Sequence, residues 1–112
     1  MEYRVNSLTY QKYISLRHSV GWNSFAEDQV SKSIDKSIYD IVVEDNGQTI
    51  AMGRLIGDGI YYLIADVVVR PGFQGKGIGN FIFVCSSYLC RKATLSAEFR
   101  KIPTEPVFPE KP

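Results

Sequence analysis

The chain is poor in the residues that build metal centres, disulfide frameworks and nucleophilic triads. Its 112 residues include one histidine, His18, and two cysteines, Cys85 and Cys90. Zinc or haem ligation wants several such side chains close together, and His18 stands far from both thiols, so no metal is expected. The cysteines are five apart in a stretch with helical spacing, which turns them about 140° from one another around a helix, a poor geometry for a bridge. Both read as core or partly exposed thiols. Charge of either sign is not in surplus: 13 Lys and Arg face 12 Asp and Glu, for a net charge of +1. That balance gives no argument for a nucleic-acid partner or a membrane surface. No apolar run approaches the roughly 18 residues of a membrane helix, and the N-terminus has no secretory pattern. The expected location is the cytoplasm. Proline is scarce until the end. Pro71 stands alone, whereas Pro103, Pro106, Pro109 and Pro112 crowd the last stretch. Residues 100–112 therefore read as an extended or disordered tail behind one domain over residues 1–99.

The most informative stretch that is present runs from Val67 to Gly79. Val67, Val68 and Val69 are β-branched and apolar, as a buried strand requires. Pro71 and Gly72 stop the strand. Gly75, Gly77 and Gly79 then strip side chains from a run of backbone N–H groups that enters a helix. Free amides and the positive end of a helix dipole make a seat for an anion, and a phosphate-bearing ligand is the natural guest. Spacing narrows the guest. Lys76 is followed by Gly77 rather than Ser or Thr, so the Walker pattern fails. The glycines fall at alternate positions, one residue short of the dinucleotide fingerprint, with no acidic residue about 20 positions on. The run Gln74-Gly75-Lys76-Gly77-Ile78-Gly79 instead matches Gln/Arg-x-x-Gly-x-Gly/Ala. It resembles the pyrophosphate loop of the GNAT superfamily of acetyl-CoA-dependent N-acetyltransferases.

The rest of the chain is read from its periodicity and punctuation. Residues 2–6 form a short strand, with Tyr3 and Val5 on one side. Residues 8–20 form an amphipathic helix, capped by Ser7 or Thr9 and ended by Gly21. Residues 25–35 form a second helix, with Ser24 and Glu27 as a capping box. Strands follow at 38–44, 48–56 and 60–69. They are joined by turns at Asp45-Asn46-Gly47 and Gly57-Asp58-Gly59. Asp66 interrupts the third of these, which points to a bulge or a polar task. A long helix spans 75–92, with Ile78, Phe81, Ile82, Cys85, Tyr88 and Leu89 as its apolar stripe. Residues 94–98 read as one more strand. The order β-α-α-β-β-β-α-β, an α/β chain with a mixed sheet, is that of the GNAT fold through its fifth strand. Members of that superfamily normally continue with a further helix and two strands, which residues 93–112 do not match. The resemblance therefore implies a shortened member, or a fold completed by a partner chain, for which a homodimer is one form.

The resemblance also implies a mechanism. Acetyl-CoA is the co-substrate, and its acetyl group passes to a primary amine of a small molecule or protein by direct attack. Backbone groups of Val67, Val68 and Val69 would pair with the pantetheine arm, with the Val67 N–H on the thioester carbonyl. The amides of Gly75, Lys76, Gly77, Ile78 and Gly79 would hold the pyrophosphate, Gln74 would shape the loop, and Asn80 would add a polar contact. For Lys76, a charge near a phosphate and a solvated loop lysine are both open. Where some members carry a catalytic glutamate this chain has Leu63, so that role does not transfer. Asp66 is the leading candidate for a catalytic base, against the alternative that it satisfies backbone groups at a bulge. Trp22, in the connector after the first helix, and Phe25, at the start of the second, are candidates for contact with the acceptor, with Trp22 otherwise filling the edge of the core. His18 reads as structural or solvent-facing. The alternative function is a non-catalytic CoA-binding or regulatory module.

Overall fold

The sheet is organised by a two-residue hairpin. In the computed structural model, which describes residues 1–95, β2 (Tyr39–Asp45) and β3 (Gln48–Gly57) are joined by Asn46 and Gly47. Their φ angles are 50° and 78°. Both are left-handed, as the tight turn that matches strand twist demands, and Asn-Gly is the pair that adopts it with least strain. β1 (Glu2–Val5) pairs antiparallel with β2, and β4 (Tyr62–Val69) pairs antiparallel with β3. The described sheet has the order β1-β2-β3-β4.

Helices cover both faces. On one, α3 (Ile78–Leu95) lays Ile78, Phe81, Ile82, Cys85 and Leu89 on Tyr39, Ile41, Val43 and Leu55. The apolar stripe read from spacing is the one buried. Gly53 lets α3 lie close, because a Cβ there would run into Ile82 Cγ2. On the other face, α1 (Tyr10–Ser19) and α2 (Glu27–Asp35) bury Tyr13, Leu16 and Val30 against Val42, Met52 and Val68. The alternation of Ile41 and Val43 with Val42 sends neighbours in one strand to opposite cores, as a two-residue period must.

Several boundaries differ from the sequence reading, each for a local reason. Thr9 caps α1 by accepting from the Lys12 N–H at 3.3 Å. The capping box expected at Ser24 and Glu27 does not form. Ala26 takes the cap position of α2 without a side-chain bond, and the Ser24 hydroxyl is paired with His18 Nε2. The helix expected from residue 75 begins at Ile78, since Gly75 and Gly77 have φ of 79° and 82°, outside the helical region. Ile60 and Tyr61 belong to the turn before β4, where their N–H groups donate to Asp58 Oδ1 at 2.9 Å. The strand expected over residues 94–98 is overturned at its start, because Thr94 and Leu95 continue α3. Its remainder and the tail at 100–112 lie outside the described residues. No helix of the described residues is long and apolar enough to cross a membrane.

Candidate active site

The site is built around a bulge in β4. Met52 pairs with Val68 and Arg54 with Ala65, so two steps along β3 meet three along β4. Asp66 and Val67 therefore both stand opposite Gly53. Asp66 takes the strain with φ of 54°, a left-handed conformation that Asp tolerates better than most residues. The extra residue reverses the facing of the strand. Tyr62 and Ile64 lie against the α3 core before the bulge, and Val67 and Val69 after it.

Two cavities flank this point on opposite faces. The first, on the α3 side, has a volume of about 380 Å³. Every residue assigned to the cofactor loop borders it except Val68 and Lys76: Val67, Val69, Gln74, Gly75, Gly77, Ile78, Gly79 and Asn80, with Phe73 added. Val68 turns into the other core. Lys76 Nζ lies 5.4 Å from the centre of the Phe73 ring. The loop is braced from within. Phe73 N–H donates to Arg70 O at 3.0 Å, and Gln74 Nε2 donates to Val69 O at 2.9 Å. The latter ties the loop to the end of β4. The first intrahelical bond of α3 runs from Phe81 N–H to Gly77 O at 2.9 Å, so the amides of Ile78, Gly79 and Asn80 precede it. Amides at the start of a helix beside an exposed glycine backbone suit an anion.

The second cavity, about 260 Å³, opens between α1, α2 and the sheet. Tyr13, Arg17, Arg54 and Asp66 form its polar floor, and Phe25, Gln29, Val30 and Ser33 its rim. Asp66 is the hub. Arg17 Nη1 donates to its Oδ1 at 3.1 Å, and the Tyr13 hydroxyl donates to its Oδ2 at 3.0 Å. Arg54 Nε lies 3.0 Å from the same Oδ2 as an ion pair, without the alignment of a hydrogen bond. Burial first, and the adjacent carboxylate second, push the Tyr13 phenol above its ordinary range, so it holds its proton at neutral pH. The Arg17 guanidinium sits 4.8, 5.1 and 5.6 Å from the ring centres of Phe25, Trp22 and Tyr13. Phe25 borders the cavity, whereas Trp22 meets Arg17 from outside it, and each ring is 43% exposed. Leu63 is 60% exposed on β4 and has no part in either cavity.

Of this cluster sequence reasoning singled out Asp66 and passed over Arg54, Arg17 and Tyr13. A signal existed for Arg54. It interrupts an apolar run between Gly53 and Leu55, as Asp66 interrupts the next strand. Asp40, also missed, is 5% exposed beneath the cluster and faces Arg54 across the β2–β3 pairing. Its Oδ1 accepts from the N–H groups of Ser7 and Leu8, each at 2.9 Å, and so fixes the turn from β1 into α1. Burial raises the Asp40 carboxyl above its usual range, against the pull of those amides and of Arg54 and Lys12. A raised folded-state value means the folded protein takes up the proton more readily. This group's contribution to stability is full below the unfolded value of 3.8 and is lost as pH rises through the folded one. Asp40→Asn keeps an acceptor for the two amides and removes the titration. Urea unfolding at about pH 4 and about pH 7 is expected to show the variant gaining on the parent as pH rises. A parent that gains instead would overturn the assignment. On the other face, burial pushes the Cys85 thiol up to about 11, so it is unreactive as a thiolate. Neither cysteine is bridged.

Comparison with known proteins bears on this geometry. A probable acetyltransferase of unknown function from meticillin-resistant Staphylococcus aureus superposes with a TM-score of 0.68 at 24% identity, over 81% of this chain and 68% of its own. A GNAT-family acetyltransferase from Streptococcus pneumoniae gives 0.64 at 20% identity, over 83% and 70%. A Mycobacterium tuberculosis protein solved in complex with CoA gives 0.62 at 18%, over 81% and 59%. At these identities the likeness is one of fold. No curated protein matches the chain by sequence. The family model for the acetyltransferase (GNAT) family matches residues 8–82, a stretch that takes in α1, the bulge and the glycine loop. By that match the chain belongs to the acetyltransferase (GNAT) family.

Proposed function

We propose that this protein transfers the acetyl group of acetyl-CoA to a primary amine of a small molecule or protein by direct attack at the β4 bulge. One observation carries the reading. Adjacent residues of one bulge, Asp66 and Val67, border two cavities on opposite faces of the sheet. A donor bound on the α3 side and an acceptor bound on the α1/α2 side would meet there. The amides of Gly75 to Asn80 would take the pyrophosphate, and the outer edge of β4 would receive the pantetheine arm as an added strand. The amine lone pair would attack the thioester carbonyl carbon, with the developing oxyanion on the Val67 N–H. Collapse would break the C–S bond and release the CoA thiolate, while the amine proton leaves to water. Holding donor and acceptor together supplies much of the rate, since no covalent enzyme intermediate is needed.

Asp66, the base expected from sequence, has a different part in this reading. Its carboxylate is committed to two guanidiniums and a phenol, so it organises the acceptor cavity instead of taking the proton. The same commitment favours a second reading, a CoA-binding module without turnover, because no other carboxylate borders that cavity among the described residues. Thermal shift with acetyl-CoA, ATP and NAD tests the ligand. Acetyl-CoA alone is expected to raise the melting temperature, and no shift would remove both readings. Release of CoA thiol in the presence of an amine panel then divides enzyme from binder.

A further inference from the structure

We infer that the cavity between α1, α2 and the sheet selects small amino carboxylates, with Arg17 and Arg54 receiving the carboxylate of the acceptor. The inference rests on the acetyl-transfer reading for the identity of the donor, and on the cavity itself for the acceptor class. Two guanidiniums border this cavity and one carboxylate faces them. Asp40 also acts on Arg54 from below, but its Oδ1 is taken by the amides of Ser7 and Leu8, and it does not border the cavity. Asp40 balances the second guanidinium in formal charge but lies behind it, so on the cavity side two guanidiniums meet one carboxylate in a partly desolvated place. The side chains of Arg17 and Arg54 are only 11% and 10% exposed. Their remaining N–H donors have lost water on that side, and leaving such donors without acceptors is costly. A bound anion would relieve that cost.

The guanidiniums are also held in position before any ligand arrives. Arg17 Nε donates to Asn23 O at 2.8 Å and Nη1 to Asp66, and its plane is walled by Phe25 and Trp22. Arg54 Nη1 donates to Ser37 Oγ at 3.3 Å, and Nε faces Asp66. The Nη2 group of each has no partner among the described residues. Planar N–H donors fixed in advance suit a carboxylate, whose two oxygens they can bridge, and lose little entropy on binding. Phe25 and Val30 offer an apolar wall for the carbon chain between the two ionic ends. A volume of about 260 Å³ has the scale of a free amino acid. An acceptor with positive charge alone would be brought against two guanidiniums with their one counter-ion already engaged. The same charges that attract a carboxylate would thus reject a polyamine.

The test is calorimetry on the CoA-saturated protein with matched pairs, lysine against cadaverine and tyrosine against tyramine, each differing by one carboxylate. The amino acid of each pair is expected to bind roughly tenfold tighter or more, the yield of hydrogen bonds between charged groups. Arg17→Gln should narrow that gap to within about threefold and leave CoA affinity unchanged. Circular dichroism checks that the variant is folded, and the parent comparison decides the matter if it is not. Equal or tighter binding of the decarboxylated amines, or no binding of either amino acid, overturns the inference and leaves the donor reading intact. Failure of CoA itself to bind overturns both.

Discussion

Gly77→Glu is expected to abolish CoA binding. The φ of Gly77 is 82°, where an L-residue is strained by about 1–2 kcal/mol. Any side chain there drives the loop toward a different backbone path and turns its amides away from a common point. Glutamate adds a like charge at the seat proposed for the pyrophosphate. The two effects together should weaken binding by roughly a hundredfold or more, about 3 kcal/mol, read by calorimetry with CoA. Gly79→Ala is the control. It has no positive φ, and a Cβ at Gly79 would stand 3.5 Å from Val69 Cγ2, an ordinary contact. The protein should therefore fold and keep most of its affinity. Equal affinity of Gly77→Glu and the parent would show that the loop is not the site.

Asp66→Asn is expected to destabilise the fold by roughly 1–3 kcal/mol, the cost of leaving partly buried cations short of a counter-ion. The side chain is 14% exposed, and two guanidiniums and the Tyr13 phenol converge on it. Asparagine fits the left-handed backbone nearly as well as aspartate, so the loss reports charge and not strain. Adding Arg17→Met to Asp66→Asn should recover part of the stability, since the guanidinium left without a counter-ion is then gone, whereas Arg54 keeps Asp40 beneath it. Urea unfolding of the parent, the single variant and the double variant measures this directly. A cost below about 1 kcal/mol for Asp66→Asn would place the cluster among solvated surface pairs, which contribute little.

The contrast between these two sites explains what could be read in advance. The glycine loop was legible because its constraint is local. Alternate glycines, a preceding Val-rich strand and an apolar helix behind them are contiguous in the chain. The hairpin at Asn46-Gly47 and the stripe from Ile78 to Leu89 were legible for the same reason. The cavity over Asp66 was not. Its Arg17 and Tyr13 stand 49 and 53 residues from Asp66, and no periodicity says that α1 will lie over that part of β4. The capping box at Ser24 failed for a more local reason, since Ser24 pairs with His18 of the preceding helix.

The order and type of the elements through α3, the family and the glycine loop ahead of α3 were determined by the sequence itself, because turn chemistry and hydrophobic period act between residues a few places apart. The tertiary structure decided the surroundings of Asp66. Sequence allowed either a base or a bulge residue. Packing α1 and α2 across the sheet placed Arg17, Arg54 and Tyr13 around its carboxylate. The partners of a charged group are whatever the other elements bring to it, and those are known only once their faces have met.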